Sequence, residues 1–356
     1  MNHRIVKLTT ILNEHQVDAV IITQKNNIQY YSGFTSEEAV LLIHPTVCYL
    51  ITDFRYIEQA QIQCPDFVVV DAPGAKTGPF IKEKCISLDV KKIWFDDNAI
   101  SYRTFQSYKE ALQPLELLPD KDIPSRLRIS KSEDEVDHIR SAAALADRGF
   151  KHILNYIRPG VSERELALEL EIYLRKNGSE GLAFPIIAAS GKNGSLPHAE
   201  PTEKALENGD LITFDFGCKV NGYCSDMTRT VALGMPDEQL REIYQITLTA
   251  QQKALDIIGP GLTGIEVDKQ ARDYIRSKGY GENFGHGLGH GVGLNVHEAP
   301  TLSPRGENML EPGMVVSVEP GIYLPGKGGV RIEDLVVITK NGYENLVSSR
   351  KDLIVL

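Results

Sequence analysis

The C-terminal part of the chain repeats itself once, and that repeat limits its possible folds more than any other feature. Residues Glu207 to Gly217, ENGDLITFDFG, match Glu311 to Gly321, EPGMVVSVEPG, in Glu-x-Gly, two apolar positions, a hydroxyl residue, an acid and a closing Gly. Asp215 therefore corresponds to Glu319. Upstream, IRPGVSERELALELEIYLRKNG (Ile157 to Gly178) matches IGPGLTGIEVDKQARDYIRSKG (Ile258 to Gly279). Ser162 with Glu165, and Thr263 with Glu266, read as capping boxes, and Gly178 and Gly279 stand where a helix C-terminal cap belongs. Between these landmarks PHAEPT faces VHEAPT, which makes His198 and His297 repeat partners. A period of roughly one hundred residues is too long for a solenoid and reads as a duplication inside one domain, with two halves around a pseudo-twofold axis.

Each half carries a second acid on its next apolar strand: Asp226 in GYCSDMTRT and Glu333 in GGVRIEDLVVI. If those strands fold back beside the first, the acids converge on one face of a sheet. With His290 they form a set of four carboxylates and one imidazole. A single divalent ion needs fewer acids, whereas two ions sharing bridging carboxylates use about this many. Four negative charges also balance two divalent cations, while the same acids without metal would repel one another. Asp215 follows ITF and Glu319 follows VSV, runs apolar enough to bury an acid, and a buried acid needs a counter-charge. The glycines of GHGLGHGVG allow the close backbone approach that a crowded centre around His290 requires. That stretch lacks the Gly-Lys-Ser/Thr ending of a phosphate loop and the glycine spacing of a dinucleotide site.

The ordered set Asp215, Asp226, His290, Glu319 and Glu333, with His198 and His297 beside it, resembles the pita-bread metallopeptidases, which include methionine aminopeptidase, aminopeptidase P and prolidase. GHGLGHGVGLNVHE, VEPGIY and GGVRIED are similar to the proline-peptidase branch, and the leading residues resemble its N-terminal domain. The resemblance implies an α/β protein with a creatinase-like mixed α/β domain at residues 1–125 and a pita-bread catalytic domain at 126–356. It implies that Asp215 holds one metal ion, that His290 and Glu319 hold another, and that Asp226 and Glu333 are shared. Manganese suits the carboxylate-rich donors best; cobalt, zinc and iron also suit mixed oxygen and imidazole. By the same resemblance Glu319 shuttles a proton, His198 and His297 act at the scissile carbonyl or the product side, and His286, Tyr323 and Arg331 contact substrate. The implied reaction is hydrolysis of an Xaa-Pro bond. An Xaa-Pro dipeptidase is preferred over aminopeptidase P, which takes longer peptides, and a homodimer is expected. Two other classes share the architecture: a peptide-binding module that has lost its ligands, and a metal-free hydrolase of the creatinase type. The complete ligand set weighs against both.

The N-terminal segment reads separately. VDAVIIT, EAVLLIH, VCYLITD, FVVVDA and KIWFDD have strand character, with helical patterns around Arg4 to His15, Phe54 to Gln63 and Tyr102 to Leu112. Pro114, Pro119 and Pro124 punctuate LQPLELLPDKDIPSRLR, which places the domain boundary near residue 125, and SGFTSEE (Ser32 to Glu38) reads as a lid loop. Ser132 and an acidic first turn open the helix that follows. A net charge of −10 argues against nucleic acid or an anionic membrane as the main partner. Five cysteines without a C-x-x-C pair argue against a disulfide framework or structural zinc. No apolar run reaches membrane-spanning length and the start lacks an apolar leader core, so the expected compartment is the cytoplasm.

Overall fold

The apolar runs of the N-terminal segment pair into one sheet. In the computed structural model, which describes residues 3–36 and 38–356, the chain divides into two units, Met1–Arg128 and Ile129–Leu356. The sheet of the first unit runs in the order Val68–Asp71, Val47–Thr52, Val40–His44, Ala19–Ile22, Lys92–Phe95, Glu116–Pro119. Ala19–Ile22 is buried along its whole length, as a strand covered on both faces must be. Its pairing with Lys92–Phe95, and that strand's pairing with Glu116–Pro119, are parallel.

The last of these strands lies in LQPLELLP, where the sequence shows only proline punctuation. Prolines suppress the strand signal, but an edge strand tolerates a missing donor, and Pro119 closes the strand at the sheet margin. The helix Lys25–Ser32 was also not foreseen; it ends at Gly33, whose φ of 81° is the left-handed conformation that glycine adopts freely. Of the expected lid loop, Glu37 lies outside the described residues.

Two buried acids sit at the ends of neighbouring parallel strands in this unit. Asp96 Oδ2 accepts from the backbone N–H of Thr23 (2.6 Å) and Gln24 (2.7 Å) and so fixes the entry to the helix Lys25–Ser32. Its Oδ1 has no ordinary donor. Asp120 lies beside it: burial, and then the charge of Asp96, push its carboxyl up to about 8, so it is protonated at neutral pH and shares its proton with the Asp96 side chain. Because the folded value lies above that of a free carboxyl, this proton stabilises the fold fully below about pH 4, and the contribution is lost as the pH rises to about 8. Asp120→Asn, whose amide donates at every pH, should flatten that decline. Thermal unfolding followed through Trp94, the only tryptophan, should show the two proteins diverging steadily from pH 5 to about pH 8 and no further above it. Parallel curves would mean that Asp120 carries no proton in the fold.

In the second unit the duplication is visible in three dimensions. Helix Glu163–Lys176 opens with the capping box of Ser162 and Glu165, and Gly264–Ser277 with that of Thr263 and Glu266. Each packs against a longer helix, Glu133–Ile153 and Glu238–Leu255 respectively. The first half supplies an antiparallel sheet ordered Met227–Ala232, Leu211–Phe216, Ile187–Ser190. The second supplies Glu298–Leu302, Gly289–Gly291, Val315–Val318, Asp334–Thr339, Gly342–Asn345.

The halves are stitched at the segments that follow Asp226 and precede Asp334. Glu333 N–H donates to Thr228 O (3.1 Å), and Thr230 Oγ1 to Arg331 O (2.9 Å). Arg229, only 1% exposed, pairs with fully buried Asp334 at 2.8 Å and also reaches Ser349 O. A buried guanidinium satisfied this completely locks the two strands in register where the acidic residues meet.

Candidate metal centre

Strand register brings the five acidic and imidazole candidates together. Asp215 lies within Leu211–Phe216, opposite Thr228 on the returning strand, and Asp226 stands just before that strand. Glu319 follows Val315–Val318, Glu333 precedes Asp334–Thr339, and Val318 and Asp334 face each other across that pair. Asp215, Asp226 and Glu333 each offer an oxygen within 4.8 Å of the others. His290 Nε2 lies 3.2 Å from Glu319 Oε1 and 3.6 Å from Asp226 Oδ2. The strand carrying His290 comes this close because of its glycine: a Cβ at Gly289 would stand 2.0 Å from Ser317 O.

Four carboxylates at this spacing are electrostatically expensive. Burial, then neighbouring acids, drives Asp226 and Glu333 well above the usual carboxylate range. Asp215 is also raised, chiefly by burial, although Arg331 pulls the other way. For Glu319, burial is outweighed by the hydrogen bond and charge of His290, which hold it at about 2.

The donor atoms suit a divalent cation. Asp215 Oδ2 accepts from Arg331 (2.6 Å) and Glu333 Oε2 from Thr228 Oγ1 (2.8 Å), whereas the second oxygen of each acid is buried with no protein partner. Unpaired buried carboxylate oxygens converging on one point call for a cation. His290 fits too. Its Nδ1 lies 3.1 Å from Gly291 O, a contact that keeps one proton on Nδ1, so that a cation taking the place of the proton between Nε2 and Glu319 would meet the Nε2 lone pair.

The acids form the floor of a cavity of about 560 Å³ whose wall includes Phe184, Pro185, Ile186 and Ile187. His286, Tyr323 and Arg331 make a relay along one side. His286 Nε2 lies 3.0 Å from Tyr323 Oη, and Arg331 donates to Tyr323 Oη (2.7 Å) as well as to Asp215. The remaining Arg331 bonds go to Thr228 Oγ1 and Pro197 O. The protein therefore holds its guanidinium in place where it lines the cavity. The His297 ring packs 4.1 Å from that of His290, and burial keeps its pKa below the ordinary imidazole value, so it is neutral at pH 7. His198 also lines the cavity.

Two supporting residues were not read from the sequence. Thr228 and Ser317 donate to Glu333 and Glu319. Their signal was position: Thr228 falls opposite Asp215 and Ser317 lies two residues before Glu319, on the same strand face.

A buried carboxylate and imidazole cluster at the floor of an apolar cavity, on a duplicated pita-bread fold, defines the class as a divalent-metal peptidase. The chain belongs to metallopeptidase family M24, whose model matches residues 137–340, and residues 4–130 match the creatinase/prolidase N-terminal domain. It is 36% identical to the Xaa-Pro dipeptidase of Pyrococcus furiosus over 99% of this chain and 100% of that protein. Among solved structures, the Xaa-Pro dipeptidase from Bacillus anthracis is 44% identical and superposes with a TM-score of 0.96 over 99% of both chains. The X-Pro aminopeptidase from Thermotoga maritima is 38% identical, with a TM-score of 0.91 over 99% of this chain and 100% of that one. Among the described residues no helix is long and apolar enough to cross a membrane, and all five cysteines are free and buried.

Proposed function

We propose that this chain is an Xaa-Pro dipeptidase, hydrolysing the peptide bond before proline with two divalent ions, manganese foremost, held by Asp215, Asp226, His290, Glu319 and Glu333. The observation that carries the reading is the set of carboxylate oxygens without protein partners at the floor of the cavity. A non-catalytic binding module has no use for such a set. Residues 126–356 form the catalytic domain in this proposal and residues 1–125 the accessory one, in a cytoplasmic homodimer.

Bound cations would polarise the scissile carbonyl and lower the pKa of the attacking water. Glu319 takes the proton released as water oxygen bonds to the carbonyl carbon, and returns it to the proline nitrogen as the carbon–nitrogen bond breaks. His297, neutral at pH 7, and His198 donate to the carbonyl oxygen and to the product side. Tyr323 and His286 line the path of the substrate, with Arg331 holding Tyr323 and Asp215 in place. The apolar wall from Phe184 to Ile187 offers the proline ring a slot.

Length preference is what separates a dipeptidase from an aminopeptidase P. A site that pairs the free carboxylate of a dipeptide rejects its amide strongly. On the manganese-loaded enzyme, kcat/KM for Ala-Pro should exceed that for Ala-Pro-Ala and for amidated Ala-Pro by at least about a hundredfold. Equal or faster cleavage of the tripeptide and the amide would make the enzyme an Xaa-Pro aminopeptidase instead.

A further inference from the structure

His198 lines the cavity from the loop between Ile187–Ser190 and Leu211–Phe216, yet among the described residues none hydrogen-bonds its ring. Its place is therefore set by whatever anchors the backbone of that loop. Besides the backbone bonds from Glu163 N–H to Lys204 O and Arg164 N–H to Thr202 O (3.1 Å each), the anchor is the Glu163 side chain, fully buried at the first position of the helix Glu163–Lys176. Its Oε1 accepts from Ser190 N (2.6 Å) and Ser190 Oγ (2.8 Å). Its Oε2 accepts from Asn193 Nδ2 (2.8 Å), Thr202 N (3.0 Å) and Thr202 Oγ1 (2.7 Å). These donors bracket His198 on both sides. Asn193 Nδ2 also reaches Glu200 O (3.2 Å), two residues beyond the histidine.

The five donors are neutral, so the carboxylate is held by oriented dipoles and by the N-terminal end of its own helix. Such an arrangement fixes geometry closely, because any shift of the loop leaves a buried charge short of a donor.

The second half of the duplication does without this device. Gly264 stands at the corresponding position, and a Cβ there would lie 2.0 Å from the carbonyl oxygen of Thr301, the repeat partner of Thr202. Both loops bond their helix starts through the backbone, Arg164 N–H to Thr202 O (3.1 Å) and Ile265 N–H to Gly306 O (3.0 Å), and only the first adds a buried carboxylate. His297 is further located by its ring contact with His290, and the neighbouring Glu298 by a 2.7 Å ion pair with buried Lys131. The same helix and loop thus fold without a carboxylate, so folding of the repeat unit alone does not account for Glu163.

We propose that Glu163 is a positioning residue for His198, fixing the 190–202 loop so that the imidazole faces the substrate; this rests on the reading of His198 as a substrate-contacting group. Glu163→Gln puts an amide N–H₂ against donors that need an acceptor. It should keep its metal and lower kcat/KM for Ala-Pro by about tenfold. In a His198→Ala background the same substitution should cost less than about twofold more, because the two residues act as one unit. Asn193→Ala, which removes a single donor and the link to Glu200, serves as the milder variant should Glu163→Gln fail to fold. The His198 ring resonances, identified by their loss in His198→Ala, should move in both variants. Unmoved resonances, or losses that multiply independently in the double variant, would overturn the proposal. Wild-type turnover in His198→Ala with moved resonances in Glu163→Gln would remove His198 from the reaction and leave the hold of Glu163 on it standing.

Discussion

Glu333→Gln should lose its metal and its activity together while making the metal-free protein more stable. The side chain is 1% exposed and faces Asp215 and Glu319, so in the chelated enzyme it is a buried charge among like charges, or a proton held there at a cost. The amide keeps the hydrogen bond from Thr228 through its oxygen and removes the repulsion. Calorimetry of metal-free samples should therefore show the variant melting above the wild type, whereas added manganese should raise the wild type alone. Turnover of Ala-Pro should fall on the order of a thousandfold, equivalent to about 4 kcal/mol of lost transition-state stabilisation. Asp226→Asn should behave alike, since it stands in the same cluster of three acids. A variant that retains full manganese content while inactive would assign Glu333 to proton transfer rather than to ligation.

What was legible in the sequence was local or repeated. The capping boxes of Ser162 and Thr263 need only four consecutive residues, and both are present. The acids were found because the repeat paired Asp215 with Glu319, a constraint no single strand supplies. The helix Glu238–Leu255 is equally legible, since Leu240, Ile243, Tyr244, Thr247, Ala250 and Ala254 recur at helical spacing and are buried. The helix Lys25–Ser32 gave no such signal. KNNIQYYS is polar, and its start depends on Asp96, more than seventy positions away in sequence. Glu163 was hidden for the same reason. A helix-start acid reads as ordinary dipole stabilisation, and only the fold brings Ser190, Asn193 and Thr202 around it.

Arg331→Met tests the other half of the charge balance. Arg331 is 3% exposed, and one guanidinium joins Asp215 at 2.6 Å to Tyr323 at 2.7 Å. Removing it leaves Asp215 without its positive partner and with Oδ1 already buried and undonated. Breaking a buried pair from one side costs about 3–5 kcal/mol, which for a unit of this size lowers the melting temperature on the order of 10 °C. The loss should be largest in chelated protein and partly recovered with manganese, because a divalent cation against Asp215 supplies the missing positive charge. Arg331→Lys should recover little. A single ammonium cannot hold Asp215 and Tyr323 together in the planar fork that arginine provides. Calorimetry with and without manganese separates the outcomes: equal destabilisation in both conditions would place the metal away from Asp215, and an unchanged melting temperature in chelated protein would mean that Asp215 is already neutral and needs no counter-charge.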